Sequence, residues 1–172
     1  MVKNDFYYLE QTPHILAKDL IASLNLQPNL KLLEPFKGEG AFYDQFPENC
    51  DKDYSEIEEG RDYKTTQYKW NRPDWVITNP PFRITDSKGK DVNAFYPLLE
   101  HFASITNQGI AFLSNDKCFS MLTPCRLKKL RDSGWYLSTI TVVAVKKWRG
   151  RYFWIVFTRN PSDTFKQLDT NY

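Results

Sequence analysis

The order of apolar and polar positions along the chain marks out alternating helices and strands. Residues 7–25 place Ile15, Leu16, Leu20, Ile21 and Leu24 on one helical face, with Thr12 as N-cap and Pro13 at the first helical position, where a missing N–H costs nothing. Residues 30–34 (LKLLE) form a short apolar run followed by Pro35, Gly38 and Gly40, which predicts a buried strand entering a tight turn and then a helix through Phe46. Residues 51–57 read as a second strand. Residues 74–78 (DWVIT) are a third, and it must stop at Asn79-Pro80-Pro81, because proline has no N–H to give a central ladder. Beyond a polar loop at 83–93, Phe95, Leu98, Leu99, Phe102 and Ile105 repeat with helical period, and a strand at 109–114 and a helix around 126–131 follow. The alternation then breaks. Two β-rich runs, 139–145 and 152–158, are separated by KKWRGR, too short for a crossover helix, so they should pair as an antiparallel hairpin. The expected architecture is α/β: a mostly parallel sheet with helices on its faces, finished by an antiparallel strand.

Composition narrows the class. A chain of 172 residues fits one domain, and 41% apolar with 26% charged residues is the balance of a folded globular protein. No apolar stretch approaches the roughly 20 residues of a bilayer span, and the first ten residues lack the layout of a signal peptide. A soluble cytoplasmic protein without a membrane partner is the expectation. Cys50, Cys118 and Cys125 are odd in number and have no CxxC spacing, and only His14 and His101 accompany them; neither a disulfide framework nor a metal site is expected, and the cysteines read as buried small hydrophobes. The net charge of +2 hides two opposite halves. Residues 34–62 hold ten acidic side chains against Lys37, Lys52 and Arg61, whereas residues 115–160 hold ten Lys or Arg against Asp116 and Asp132. Charge runs of this kind often serve only as solvated faces; here the second half is suited to meet an anion.

Two turns at strand ends carry the candidate chemistry. Ligands of a doubly wound sheet collect at the carboxyl ends of its strands, so EPFKGEG (34–40) and NPPF (79–82) should share one cleft. In the first turn, Gly38 and Gly40 allow close backbone approach, but the third glycine of a dinucleotide fingerprint and the Gly-Lys-Ser/Thr of a phosphate loop are both missing. The acidic residues around it, Glu34, Glu39, Glu56 and Asp62, would repel a pyrophosphate and tolerate a sulfonium-bearing, hydroxyl-rich ligand, with Glu56 placed to accept ribose hydroxyls. The second turn suits a planar amino nitrogen, whose delocalised lone pair makes it a poor nucleophile. The side-chain oxygen of Asn79 and a main-chain carbonyl at Pro80, stiffened by Pro81, can each accept one N–H and draw that nitrogen toward a tetrahedral form, while Phe82 stacks on the flat target.

In this order the segments resemble the amino-methyltransferases of the class I S-adenosylmethionine-dependent fold, and most of all the adenine-N6 DNA methyltransferases. The resemblance runs through most of the chain. The family's motif I resembles 34–40, its acidic motifs II and III resemble Glu56 and Asp62 (in GRDY), and its catalytic motif IV resembles Asn79-Pro80-Pro81-Phe82. Thr12-Pro13 is similar to the family's N-terminal Thr-Pro, which holds the cofactor carboxylate, with Tyr7 and Tyr8 standing where an aromatic usually lies closer. The order resembles the gamma arrangement. It implies a Rossmann-like class I fold that binds S-adenosyl-L-methionine through Thr12, Glu34, Pro35, Phe36, Gly38, Gly40, Glu56, Asp62 and Asn79 and methylates adenine N6 in DNA. On this resemblance residues 1–172 form a single catalytic domain without a target-recognition domain, which implies a site-specific or non-specific enzyme whose sequence specificity is low or is supplied by DNA structure or a protein partner. An adenine in a duplex must be flipped out to react, with Arg83, Lys88, Lys90, Lys146, Lys147, Arg149 and Arg151 meeting phosphates and Trp148 either a stacking or wedge residue or part of the core. Adenine-N6 in RNA, the side-chain amide of protein glutamine and a catalytically inactive nucleic-acid-binding module remain open as alternatives.

Overall fold

Strands that carry apolar side chains on both faces need cover on both sides, and that requirement sets the layering. The computed structural model describes residues 11–146 and 148–161; the expectations that fell on Tyr7, Tyr8 and Lys147 lie outside the described residues. The first helix, α1 (His14–Ala22), is followed by strands β1 (Lys31–Glu34), β2 (Asp51–Tyr54) and β3 (Trp75–Thr78). A small hairpin, β4 (Arg83–Thr85) and β5 (Asp91–Asn93), leads into α2 (Phe95–Ile105) and β6 (Gly109–Asn115). Helix α3 (Pro124–Asp132) and the strands β7 (Tyr136–Val143) and β8 (Tyr152–Thr158) follow, the last elements among the described residues.

The main sheet runs β2-β1-β3-β6-β8-β7. The first four are parallel neighbours, β8 is antiparallel to β6, and β7 is antiparallel to β8. This is the expected mostly parallel α/β sheet with an antiparallel hairpin at its end. Alternation sorts the side chains into two cores. Leu33, Val76, Ile110, Phe112, Ile155 and Phe157 point to the face covered by α2 and α3, where Trp135 is buried and donates its indole N–H to the Ala103 carbonyl at 3.0 Å. Leu32, Trp75, Ile77, Ala111, Leu113, Trp154 and Val156 point to the face covered by α1 and by Phe42 and Phe46, with Phe42 stacked on Trp154 at 5.6 Å.

Several local expectations are corrected. The helix expected through Phe46 is only a 3-10 turn, Tyr43–Gln45, because the few residues between Gly40 and Pro47 are too few to nucleate an α-helix. The strand expected to Ile57 stops at Tyr54, and Ile57 is exposed. The loop at 83–93 is instead the β4–β5 hairpin, closed at its base by the Ala94 N–H on the Phe82 carbonyl and at its tip by the Asp86 carboxylate accepting the Lys88 and Lys90 N–H groups. Thr12 does not cap α1: Pro13 takes the N-cap position, with no side-chain hydrogen bond, and the buried Thr12 hydroxyl points elsewhere. Of the cysteines only Cys118 is buried; Cys50 is half-buried and Cys125 is exposed on the first turn of α3. Among the described residues no helix is long and apolar enough to cross a membrane.

Gly109 opens β6 opposite Trp75, and a Cβ there would collide with the Trp75 indole ring, which is itself buried. Gly109→Ala should therefore destabilise the fold by about 1–3 kcal/mol, the usual cost of overpacking, measured as a lower urea midpoint; an unchanged midpoint would show that the ring moves aside freely.

Candidate active site

From β1 the chain passes to β2 on one side, and later returns to β3 on the other, so the connections leaving the carboxyl ends of β1 and β3 diverge and open a crevice between them. Glu34 ends β1 and Thr78 ends β3. The Glu34 side chain is buried and accepts the Phe36 N–H at 3.3 Å. Burial holds its carboxyl well above the ordinary carboxylate range; the Thr78 hydroxyl and the Phe36 amide pull the other way, and the charge of Glu56 pushes it further up.

The glycine turn is pinned to the end of β2. Ser55, fully buried, donates its hydroxyl to the Pro35 carbonyl at 2.8 Å and accepts the Lys37 N–H on its own carbonyl at 3.1 Å. The Glu56 carboxylate takes the Gly38 N–H at 2.6 Å and the Glu58 N–H at 3.2 Å. Gly38 and Gly40 both have positive φ, 53° and 91°, which explains why the turn needs glycine there. Phe36 packs edge-on against Tyr63, the neighbour of Asp62, with ring centroids 5.0 Å apart. The Asp62 carboxylate accepts the Lys64 N–H within its own loop. Lys37, the turn's own cation, is ion-paired with Glu59, so the carboxylates dominate this half of the crevice.

On the other side stands Asn79. Its amide nitrogen donates to the Thr12 hydroxyl at 3.1 Å, which leaves its carbonyl oxygen as the acceptor, and no described residue donates to that oxygen. Thr12 thus lies beside the Asn79-Pro80-Pro81-Phe82 turn, its hydroxyl bonded there rather than at a helix terminus. Next to Asn79 lies a cleft of about 180 Å³ lined by Pro80, Pro81, Phe82, Arg83, Asn93, Phe95, Ser114, Asn115 and Lys117. Its origin is a difference in strand length. β3 stops at Thr78, paired with Phe112, whereas β6 runs three residues further to Asn115, about 10 Å at strand rise.

The β7–β8 turn emerges at the same edge, because Tyr152, the first residue of β8, pairs with Asn115, the last of β6. Phe82, Tyr152 and Trp148 form a chain of rings with centroid separations of 6.3 and 4.6 Å. Of the basic residues expected at phosphates, Arg83 is exposed and bonded to Asp91 at 2.7 Å, and Arg151 is exposed and bonded to Asp116 at 2.6 Å. Lys146 and Arg149 are exposed on the β7–β8 turn, while Lys88 and Lys90 lie at the hairpin tip, outside the cleft lining. Sequence reasoning missed Ser55, Ser114, Asn115, Lys117 and Tyr152. Only the last three had a signal to find them, since each flanks the end of a β-rich run.

No family model matches the sequence, and no curated protein matches it. Solved structures do resemble the fold. A protein of Listeria monocytogenes assigned as a class I S-adenosylmethionine-dependent methyltransferase superposes with a TM-score of 0.62 at 13% identity, covering 91% of this chain and 62% of that one. The fold is that of class I methyltransferases. The modification subunit of an assigned type I restriction enzyme from Vibrio vulnificus gives 0.62 at 14% identity, covering 89% of this chain and 45% of that one. Magnesium protoporphyrin IX methyltransferase from Synechocystis with bound SAM gives 0.55 at 15% identity, covering 85% and 77%. The chain thus spans less than two thirds of the length of the first two.

Glu34 supplies a pH test of this geometry. Its folded-state pKa is raised, so the stability it contributes is present at low pH and is lost as pH rises from the ordinary glutamate value through the raised one, where the unfolded chain has shed a proton that the fold still holds. Urea unfolding of Glu34→Gln against the native chain should show a stability difference that grows in the variant's favour across that window. An offset independent of pH would mean that Glu34 is not buried as its neutral form.

Proposed function

We propose that the chain is an S-adenosylmethionine-dependent methyltransferase that methylates adenine N6 in DNA, with the base flipped into the pocket at Asn79-Pro80-Pro81-Phe82. The observation that carries this reading is the Asn79 amide, tied by its nitrogen to the Thr12 hydroxyl at 3.1 Å so that its oxygen is left to accept. That oxygen and the Pro80 carbonyl accept the two N–H groups of the exocyclic amine, localising its lone pair. Phe82 lies against the ring of the base, and the nitrogen sheds one proton to solvent after attack. Asn79 itself is no base; its task is orientation and charge stabilisation.

The cofactor half fits the chemistry of its own donors. The Glu56 carboxylate and the buried Glu34 carboxyl flank a turn whose lysine is already paired, an environment that disfavours phosphate and accepts a cationic, hydroxyl-bearing ligand. Each Glu56 oxygen already takes one backbone N–H and keeps capacity for a ribose hydroxyl. Bound S-adenosylmethionine supplies an electrophilic methyl carbon, whose C–S electron pair stays with sulfur as the N–C bond forms. Phe36, Gly38 and Gly40 shape the turn around it, and Asp62 follows at its rim. The fold serves porphyrin and restriction-modification methyltransferases alike, so the choice of DNA rests on the motif resemblance and on the basic, aromatic edge beside the cleft.

Incubation with labelled S-adenosylmethionine and duplex DNA, single-stranded DNA, RNA or a glutamine-containing protein, followed by digestion and mass analysis, should give N6-methyladenine from DNA. Methylated glutamine instead would move the substrate to protein, and cofactor binding with no transfer to any acceptor would favour the inactive binding module. Asn79→Ala should lower kcat about 100-fold or more while cofactor affinity stays nearly unchanged, whereas Glu56→Ala should weaken the cofactor about tenfold or more.

A further inference from the structure

The cleft beside Asn79 has a polar wall that the proposed chemistry does not use. Three of its side chains are already committed: Arg83 donates to Asp91 at 2.7 and 3.0 Å, Asn93 donates to the Lys117 carbonyl at 3.4 Å and accepts the Phe95 N–H at 3.0 Å, and the Asn115 oxygen accepts the Lys117 N–H at 3.1 Å. Two donors are left over. Among the described residues, neither the Lys117 ammonium nor the Asn115 amide nitrogen has a partner. The nearby carboxylates do not serve them, since Asp91 is paired with Arg83 and Asp116 with Arg151. This end of the cleft therefore carries one unbalanced positive charge beside an uncommitted amide donor, and no uncommitted carboxylate.

The Lys117 main chain is fixed from both sides, its N–H on Asn115 at the end of β6 and its carbonyl on Asn93 of the β4–β5 hairpin. Its side chain thus leaves from a defined point on the lining of the same cleft as Pro80, Pro81 and Phe82. A flexible ammonium with three donors and a neighbouring amide N–H suits a tetrahedral anion that is singly charged and rich in acceptors. The acceptor base enters beside Phe82, and the anion that a base brings with it is the phosphodiester of its own nucleotide. We infer that Lys117, assisted by Asn115, holds a strand phosphate of the nucleotide being methylated. The inference rests on the reading that a nucleotide base is the acceptor. It adds a second recognition element: the substrate is a nucleotide within a strand, held at base and phosphate together, rather than an isolated amide or nucleoside.

Binding tests it without requiring turnover. A fluorescein-labelled single-stranded 8-mer containing one adenosine, as DNA and as RNA, is titrated into the native chain and into Lys117→Ala, Lys117→Gln and Lys117→Arg across a salt series, with S-adenosylmethionine affinity measured alongside. Lys117 is exposed, so these variants should fold, and unchanged unfolding midpoints confirm it. Loss of the charge should weaken strand binding about three- to tenfold and lower the salt slope by about 0.7, the increment for one phosphate on a single strand; Lys117→Arg should restore both. Replacing the phosphates flanking the adenosine with neutral methylphosphonates should weaken the native chain by a similar factor and leave Lys117→Ala indifferent. The preferred strand, DNA or RNA, names the source of the phosphate. Equal affinity and slope for native and Lys117→Ala would overturn the inference, as would a lysine effect confined to the cofactor or a native chain that binds neither strand. If the lysine dependence holds but no N6-methyladenine forms, the phosphate site stands and the methylation reading falls.

Discussion

The parallel pairing of β1 with β3, and the abrupt end of β3, are the constraint on which the site depends. Because β1 sends the chain to β2 on one flank and β3 lies on the other, the two connecting segments must part at the carboxyl edge and leave a crevice. Because Asn79 is followed by two prolines that cannot extend a ladder, β3 stops while β6 continues to Asn115. The first fact creates a place beside Glu34 and Glu56, and the second a notch beside Phe82. Asn79 sits where the two meet, and the Thr12 hydroxyl fixes which end of its amide is presented.

The crevice is electrostatically divided. Toward β2 the polar groups are carboxylates, and the lysine of the turn is neutralised by Glu59. Toward β6 the carboxylates Asp91 and Asp116 are neutralised by arginines, and the uncommitted groups are donors. On the proposed reading, ligands of opposite polarity would meet across Asn79 without either half repelling its guest. Of the basic half of the sequence only Lys117 lines the cleft, while Lys128 and Lys129 on α3 are paired with Asp132 and Glu100. The cost is a buried glutamate, Glu34, whose charge the fold suppresses rather than satisfies.

What could be read from residue order was local and periodic. The apolar strands, the helical repeat of Phe95 to Ile105, the proline stop after Thr78 and the terminal hairpin each follow from steric or hydrogen-bonding rules that act within a few residues. The positive φ of Gly38 and Gly40 belongs to the same class. Local rules also misled: Thr12 has the chemistry of an N-cap, yet a partner 67 residues away takes its hydroxyl, and the polar stretch 83–93 pairs with itself although it looks like a loop.

By itself, then, the sequence determined an α/β sheet, the stop of β3 at its prolines, and two candidate turns at strand ends. Tertiary structure alone decided the partners: that Ser55 pins the glycine turn, that Asn79 answers to Thr12, that Arg83 and Arg151 are spent on carboxylates while Lys117 is not. The reason is physical. Periodicity and proline chemistry act along the chain, whereas a hydrogen bond or an ion pair depends on which groups the sheet order brings within about 3 Å, and sheet order is set by the long-range packing of both faces.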